Sequence, residues 1–278
     1  MVLGSDGFLG KHVCAELEKT HRIFRADLPI IDITNSFELK KYIVKSDPEV
    51  IVHLAALTGA KISMLKPLDF SDVNIDGTIN ILETCRKVGI RKFVFMSSLT
   101  VHGRGGGDVD ESSQINPGHV YGATKAAGEA IVRAYSNAYS IDSISLRPNL
   151  ITGPGKIEED IVYDFVRSAK SNIPLKIYGD GLHIRQWTHP HDIAKAIMCG
   201  IENIKTLDGT YCLGSNAMSV IELANKVLDF AGTGTLEYIK TDEQSFSLTC
   251  SPSLFQQKTG WAASITIEKI IEQIWHDI

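Results

Sequence analysis

Gly4-Ser5-Asp6-Gly7-Phe8-Leu9-Gly10 follows the short apolar segment Met1-Val2-Leu3 and opens a stretch with Leu9, Val13 and Leu17 at helical spacing. A strand that passes through a glycine turn into a helix brings main-chain N–H groups and the positive helix end to one point, where a pyrophosphate binds. The glycines serve the tight turn, the approach of phosphate to the backbone and the packing of helix on strand. Their spacing is GxxGxxG rather than GxGxxG. Asp6 is expected to cap the helix. Asp27, 17 residues beyond Gly10, ends the run RIFRA at residues 22–26. A carboxylate there accepts hydrogen bonds from the ribose hydroxyls of NAD and repels the extra phosphate of NADP. Arg25 would weaken that exclusion if it reached the same pocket.

Working outward, the short runs at residues 50–54 (VIVHL), 93–97 (FVFMS) and 143–146 (SISL) alternate with amphipathic stretches such as Ile79, Leu82 and Val88 before Gly89. This alternation predicts an α/β fold with a doubly wound parallel sheet covered on both faces. Beyond about residue 148, Pro148, Pro154, Pro174, Pro190 and the YGDG turn at 178–181 interrupt the periodicity. A smaller mixed lobe is expected there. The expected division is a dinucleotide-binding domain over 1–150, rejoined by 188–212, and a substrate lobe over 151–187 and 213–278. The glycine triplet 105–107 reads as a flexible loop placed to cover a site.

The chain has 278 residues, a formal charge of −5 and 44% hydrophobic residues, with no Lys/Arg run. Nucleic acid and anionic membrane are not expected partners, since both need a clustered positive field. The longest apolar stretches fall far short of the ~20 residues of a membrane span. No charged and apolar leader pattern opens the sequence, and the five cysteines form no CxxC pair. A reduced cytoplasm is the expected compartment. The histidines lack HExxH or comparable spacing, so no metal is expected. His53 reads as a core residue, and His119 as a solvent-facing loop residue.

Tyr121-Gly122-Ala123-Thr124-Lys125 places a phenol and an ammonium on one helical face, one turn apart, downstream of Ser97-Ser98 at a strand end. A free phenol ionises near pH 10, and a nearby cation favours the phenolate. Lys125 supplies that cation.

Together these motifs resemble the extended short-chain dehydrogenases/reductases of the NAD-dependent epimerase/dehydratase family. GSDGFLG is similar to the family's TGGxGFIG, HLAA at 53–56 matches its strand-four motif, and VNIDGTINILE from Val73 resembles VNvxGTxNLLE. MSSLTVHG from Met96 resembles SSxxVYG with His102 in place of Tyr, and YGATK is the YxxxK motif. LRPNLITGPG from Leu146 and GDGLHIRQWTHPHDIA from Gly179 resemble the family's later motifs.

The resemblance implies NAD as cofactor, held by Gly4, Gly7, Phe8, Leu9, Gly10 and Asp27, with Asp32 and Ile33 at the adenine and Leu54, Ala55 and Ala56 along phosphate and ribose. It implies Asn74 near the active site, Tyr121 as base, Lys125 as its electrostatic partner and ribose ligand, and Ser98 as the hydroxyl on the reacting oxygen. Ser98 precedes Gly103 by five residues, as the family's catalytic hydroxyl does. Arg185 would grip a substrate diphosphate, a contact suited to a planar guanidinium. Asn149 stands one position before the family's substrate-contacting Asn, whose place Leu150 occupies. Asp192 would cap the following helix. Leu99-Thr100 replaces the acid pair of sugar dehydratases, which argues against elimination.

The expected activity is therefore a nucleotide-sugar 4-epimerase working through transient oxidation. Alternatives are an NAD(P)H-dependent 4-ketosugar-nucleotide reductase, an L-threonine-type dehydrogenase and a non-catalytic dinucleotide-binding protein. A homodimer is expected to close over residues 74–87 and 121–139, with Ile81, Ala130, Ile131 and Ala134 at the contact.

Overall fold

Val2 and Leu3 are fully buried on opposite faces of one sheet, and the alternation they start continues across every strand beside them. The computed structural model describes residues 1–105, 107–156, 160–242 and 245–278, so Gly106 of the glycine triplet lies outside the described residues. The chain begins β1 (Val2–Leu3), α1 (Phe8–Leu17), β2 (Arg25–Ala26), α2 (Ser36–Ser46), β3 (Val50–His53), α3 (Ala60–Leu65) and α4 (Pro67–Ser71). A π-helical segment (Asp72–Asp76) leads into α5 (Gly77–Val88), then β4 (Lys92–Met96), a 3-10 segment (Leu99–Gly105), β5 (Gly107–Val109), α6 (Val120–Tyr139) and β6 (Asp142–Pro148). There follow β7 (Leu150–Ile151), α7 (Ile161–Lys170), β8 (Leu175–Tyr178), β9 (Ile184–Thr188), α8 (Pro190–Glu202) and β10 (Gly209–Leu213). The chain ends β11 (Ala217–Ser219), α9 (Val220–Ala231), β12 (Leu236–Ile239), β13 (Leu248–Cys250), α10 (Ser253–Thr259) and α11 (Ile267–Asp277).

Six parallel strands form the main sheet in the order β10-β6-β4-β3-β1-β2. Val2, Val52, Val94, Ile144 and Leu146 meet α1 and α8 on one face, while Leu3, Ile51, Phe93 and Phe95 meet α2, α5 and α6 on the other. This is the doubly wound fold expected. Its direction reverses at β1, so the loops after β1 and β3 flank the crevice where such sheets bind ligands.

Helix ends are written locally. Asn35 accepts the Glu38 N–H at the start of α2, Ser219 and Glu222 form a reciprocal cap on α9, and Gly89, at φ 87°, ends α5 in the left-handed region. Three smaller sheets, β11-β9-β7, β12-β8 and β13-β5, complete the fold.

A second core gathers α7, α9 and α11 around Trp187, Leu223 and Ile271. Residues 254–263 do not join it. Phe255 and Trp261 pack with Tyr211 in the core of the main sheet, because α10 lies across the β10 edge. Among the described residues no helix is long and apolar enough to cross a membrane.

Candidate active site

Asp6 does not cap α1. Gly7 holds the N-cap position without a side-chain hydrogen bond, and the Asp6 main-chain N–H donates instead to Asp27 Oδ2 at 2.9 Å. Asp27 leaves β2 beside the glycine turn, with its other oxygen taking the Leu28 N–H at 2.8 Å. Arg25 turns the opposite way, donating twice to Glu18 at 3.0 and 3.1 Å. The end of the crevice beside β2 thus presents a fixed carboxylate, and Arg25 is engaged elsewhere.

Gly4 has φ +85°, and a Cβ on it would lie 2.6 Å from Ala55 N; one on Gly10 would lie 2.0 Å from Gly4 O. Both glycines therefore let the turn close on β3 and on its own helix. Gly7 differs: its Cβ would meet only Gly4 O, at 3.4 Å, so the outer side of the turn is open to an approaching anion. An open glycine turn, an uncapped helix N-terminus and a strand-end carboxylate fit a dinucleotide. Phe8 packs edge-on to His12 at 5.5 Å. Leu54 and Ala55 both donate their N–H groups to Leu3 O at 2.9 Å, and Leu54, Ala55 and Ala56 are half-buried along the crevice. Asp32 is exposed, with Oδ1 taken by Thr34, whereas Ile33 is buried against Gly77.

The catalytic candidates come together at the first turn of α6. Tyr121 is the second residue of this helix; a Cβ on Gly122 would lie 2.7 Å from Thr100 O, so the turn abuts the segment that carries Ser98. Lys125 donates from Nζ to Met96 O at 2.8 Å. Burial pulls its pKa down to about 8, with Glu129 one turn on acting in the opposite sense. Ser98 Oγ accepts from Thr100 N (3.3 Å) and Thr100 Oγ1 (2.9 Å), which leaves its own proton for another acceptor. Ser97 is not equivalent, because its hydroxyl donates to Glu129 inside the core at 2.5 Å.

Asn74 lies in the π-helical segment with its amide fully engaged. Oδ1 accepts Leu57 N, and Nδ2 donates to Leu57 O and to Thr124 Oγ1, whose hydroxyl donates to Tyr121 O at 2.9 Å. Asn74 thereby ties the loop after β3 to the catalytic turn. Beneath it, Thr78 donates to Asn74 O, so the buried His53 donates Nε2–H to Thr78. Burial, then the Lys125 charge, hold His53 down to about 3, so it stays neutral.

Glu129 went unnoticed in the sequence, although its spacing of four from Lys125 puts it on the same face. Both its oxygens pair with Arg147 at 2.7 and 2.8 Å in the core. Arg147 also donates to His102 Nε2, which fixes the proton on Nδ1 toward Gln114 O. The Tyr expected before Gly103 is thus replaced by a core histidine.

On the second lobe, Arg185 donates to Phe246 O and stacks over the Phe246 ring at 4.2 Å, and Arg104 lies over the same ring at 5.7 Å. Burial pulls the Arg185 pKa down. No sequence signal linked Phe246, 61 residues away, to Arg185. Asn149 donates to Leu248 O at 2.8 Å and to Gln186 Oε1 at 3.3 Å, tying β13 to the motif that carries Arg185. Asp192 does not cap α8. His189 does, through Nδ1, while the Asp192 carboxylate accepts from Ser264 and Ile265 and anchors that segment. Among the described residues no group of three His, Cys, Asp or Glu could hold a metal.

The sequence model of the NAD dependent epimerase/dehydratase family matches residues 1–214. A trifunctional UDP-glucose 4,6-dehydratase/3,5-epimerase/reductase of Arabidopsis thaliana is 30% identical over 86% of this chain, which spans 41% of that protein's length. A UDP-glucuronate 4-epimerase of Thermodesulfobacterium geofontis is 27% identical, covering 86% of this chain and 75% of its own. In fold, the chain matches the UDP-glucose 4-epimerase of Thermus thermophilus solved with NAD, with TM-score 0.86, 23% identity and coverage of 99% and 97%. The chain belongs to the NAD-dependent epimerase/dehydratase family.

Proposed function

We propose that this enzyme is a nucleotide-sugar 4-epimerase that retains NAD through its cycle. The observation that carries the reading is that the α6 turn with Tyr121 abuts the segment after Ser98 and Lys125 bonds Met96 O in the strand before it, while Asp27 stands at the glycine turn and Arg25 is held by Glu18. Residues 1–150 with 188–212, backed by 254–263, would hold the dinucleotide, and 151–187 with 213–253 and 264–278 the sugar nucleotide.

Tyr121, in the first turn of a 20-residue helix and one turn from Lys125, has its phenolate favoured by both the helix dipole and the ammonium. The phenolate takes the proton of the sugar 4-hydroxyl, and Ser98 donates to the same oxygen as it becomes a carbonyl. Bound NAD would supply the acceptor for the C4 hydride and its return. Once the sugar has turned to present its other face, Tyr121 would give the proton back to the 4-oxygen. Arg185, with Arg104 across the Phe246 ring, holds the diphosphate while the sugar turns. Leu99-Thr100 offers no acid for elimination.

The short connection from Asp27 to Asp32, closed by Ile30 and Ile31 N–H groups on Asp27 O, favours a 4-ketosugar reductase as second reading. The test is incubation with UDP-, GDP- and dTDP-hexoses without added cofactor, followed by chromatography. A 4-epimer with no net change at the NADH band is the expected result. No epimer from any of them, with oxidation of added NADH or NADPH by a 4-ketosugar nucleotide, establishes the reductase instead.

We also propose a homodimer over α5 and α6. Ile81 cannot serve it, being fully buried on the core side of α5, but Ala130 and Ala134 are exposed on α6. A monomer mass by light scattering at micromolar concentration would remove this interface.

A further inference from the structure

His119 is the N-cap of α6, the helix that carries Tyr121 and Lys125. Its Nδ1 accepts the Gly122 N–H at 3.0 Å, and its ring lies parallel to that of Tyr121, with centroids 6.0 Å apart and planes 10° apart. On the far side, Phe70 meets Tyr121 edge-on at 6.4 Å. An N-cap acceptor holds a first turn that otherwise frays, and Tyr121 lies inside that turn. A Ser, Thr, Asn or Asp cap accepts at any pH near neutrality; an imidazole accepts only while Nδ1 is unprotonated.

We propose that His119 is a positioning residue for Tyr121, and that protonation of its Nδ1 releases the catalytic turn. The protonated ring turns its acceptor into a donor facing the Gly122 N–H, and puts a cation at the positive end of the helix. Both effects oppose the cap. The groups that face His119 act in one direction: Arg104, from the segment after β4, is the charge that bears on it, and Tyr121 covers one ring face. Burial, then Arg104, hold the imidazole below its ordinary 6.5, so the cap is intact above that pH and is lost as pH falls beneath it. Thr124, through its bond to Tyr121 O, holds the same turn from its carbonyl side, so loss of the cap loosens the turn without unfolding α6.

The inference rests on Tyr121 being the base. It is tested by turnover between pH 5 and 8 in the wild-type enzyme and in His119→Asn, which keeps an acceptor at the cap, with hydrogen exchange over residues 119–123 measured alongside. In the wild type, His119 takes up a proton on the acid side, so kcat falls about fivefold further there than in the variant and exchange protection of the turn drops. In His119→Asn that extra fall is absent, protection holds, and kcat at pH 8 stays within about twofold of wild type. His119→Ala, without any cap, loses about fivefold in kcat at pH 8, matching a cap's usual worth, and meets the wild type at the acid end, where the wild-type cap is lost too. Equal acid limbs and equal protection in wild type and His119→Asn would overturn the inference alone. Turnover retained by Tyr121→Phe would instead overturn the reading of the site beneath it.

Discussion

At the first turn of α6 the polar side chains are committed to the protein: Lys125 to Met96 O, Asn74 to Leu57 and Thr124, Ser97 to Glu129, and His119 to the turn itself. Where the second lobe faces that turn, Arg185 and Arg104 share one phenylalanine ring, and among the described residues neither meets a carboxylate. The first region is preorganised, so a proton moves there without rearrangement. The second keeps uncompensated positive charge for a ligand to neutralise. In the function proposed above, chemistry and recognition are thus separated in one crevice, and they should fail differently when altered.

The largest effect is expected from Tyr121→Phe, which deletes one oxygen and leaves Lys125 bonded to Met96 O. Turnover should fall by about 10²–10⁴-fold, the usual worth of a positioned acid/base, with NAD affinity nearly unchanged by calorimetry. Lys125 sharpens the same side. Its ammonium is charged below a pKa of about 8, so kcat should decline as pH rises through that value and the phenolate loses its partner. Lys125→Met should lower both turnover and NAD affinity.

Next comes Glu129→Gln. It leaves the Arg147 guanidinium buried beside His102 without its counter-ion, which costs about 3–5 kcal/mol of stability by denaturant titration. A Glu129→Met, Arg147→Met pair should recover much of that loss, since a buried ion pair adds little over a well-packed apolar one. If Glu129→Gln were as stable as wild type, the committed floor of the site would lose its anchor.

The two regions also differ in how far the sequence disclosed them. The glycine turn, Asp27 and the Tyr121–Lys125 pair were legible because each depends on neighbours within one strand-turn-helix or one helical turn. Glu129 lay on the same periodicity and was readable in principle. Asp6 was misjudged because α1 starts one residue later than the glycine turn suggests, which puts Gly7 rather than Asp6 at the N-cap. Ile81 was misjudged because helical spacing tells which residues share a face but not which neighbour covers it. Phe246 carried no local signal at all. It becomes part of the site only when β13 pairs with β5 and brings the preceding loop over Arg185.

At the mouth, Arg185→Ala should weaken UDP binding by about 10–100-fold, the range of a lost charge-assisted contact, with kcat at saturation changed far less. Arg104→Ala should cost less, because Arg104 is exposed and its charge is screened by water. Calorimetry with UDP, compared with KM and kcat for each variant, reads both. A fall in kcat with unchanged affinity would place these arginines with the chemistry and erase the contrast between floor and mouth.

The smallest expected effect lies at the ribose end and tests whether Arg25 takes part. Asp27 is held by the Asp6 and Leu28 N–H groups, so its carboxylate cannot swing aside to admit a 2′-phosphate; NAD should bind more tightly than NADP, and Asp27→Asn should narrow the difference. Arg25→Ala should leave the preference almost where it was. Its guanidinium is spent on Glu18, and an exposed ion pair of this kind contributes only about 0–1 kcal/mol, so its loss disturbs neither β2 nor the pocket. Titration of wild type and both variants with NAD and NADP separates the two residues. A gain in NAD preference on removing Arg25 would mean that the side chain leaves Glu18 for the ribose pocket when a nucleotide is present, and the recognition side of the crevice would then extend to a residue that the fold holds away from it.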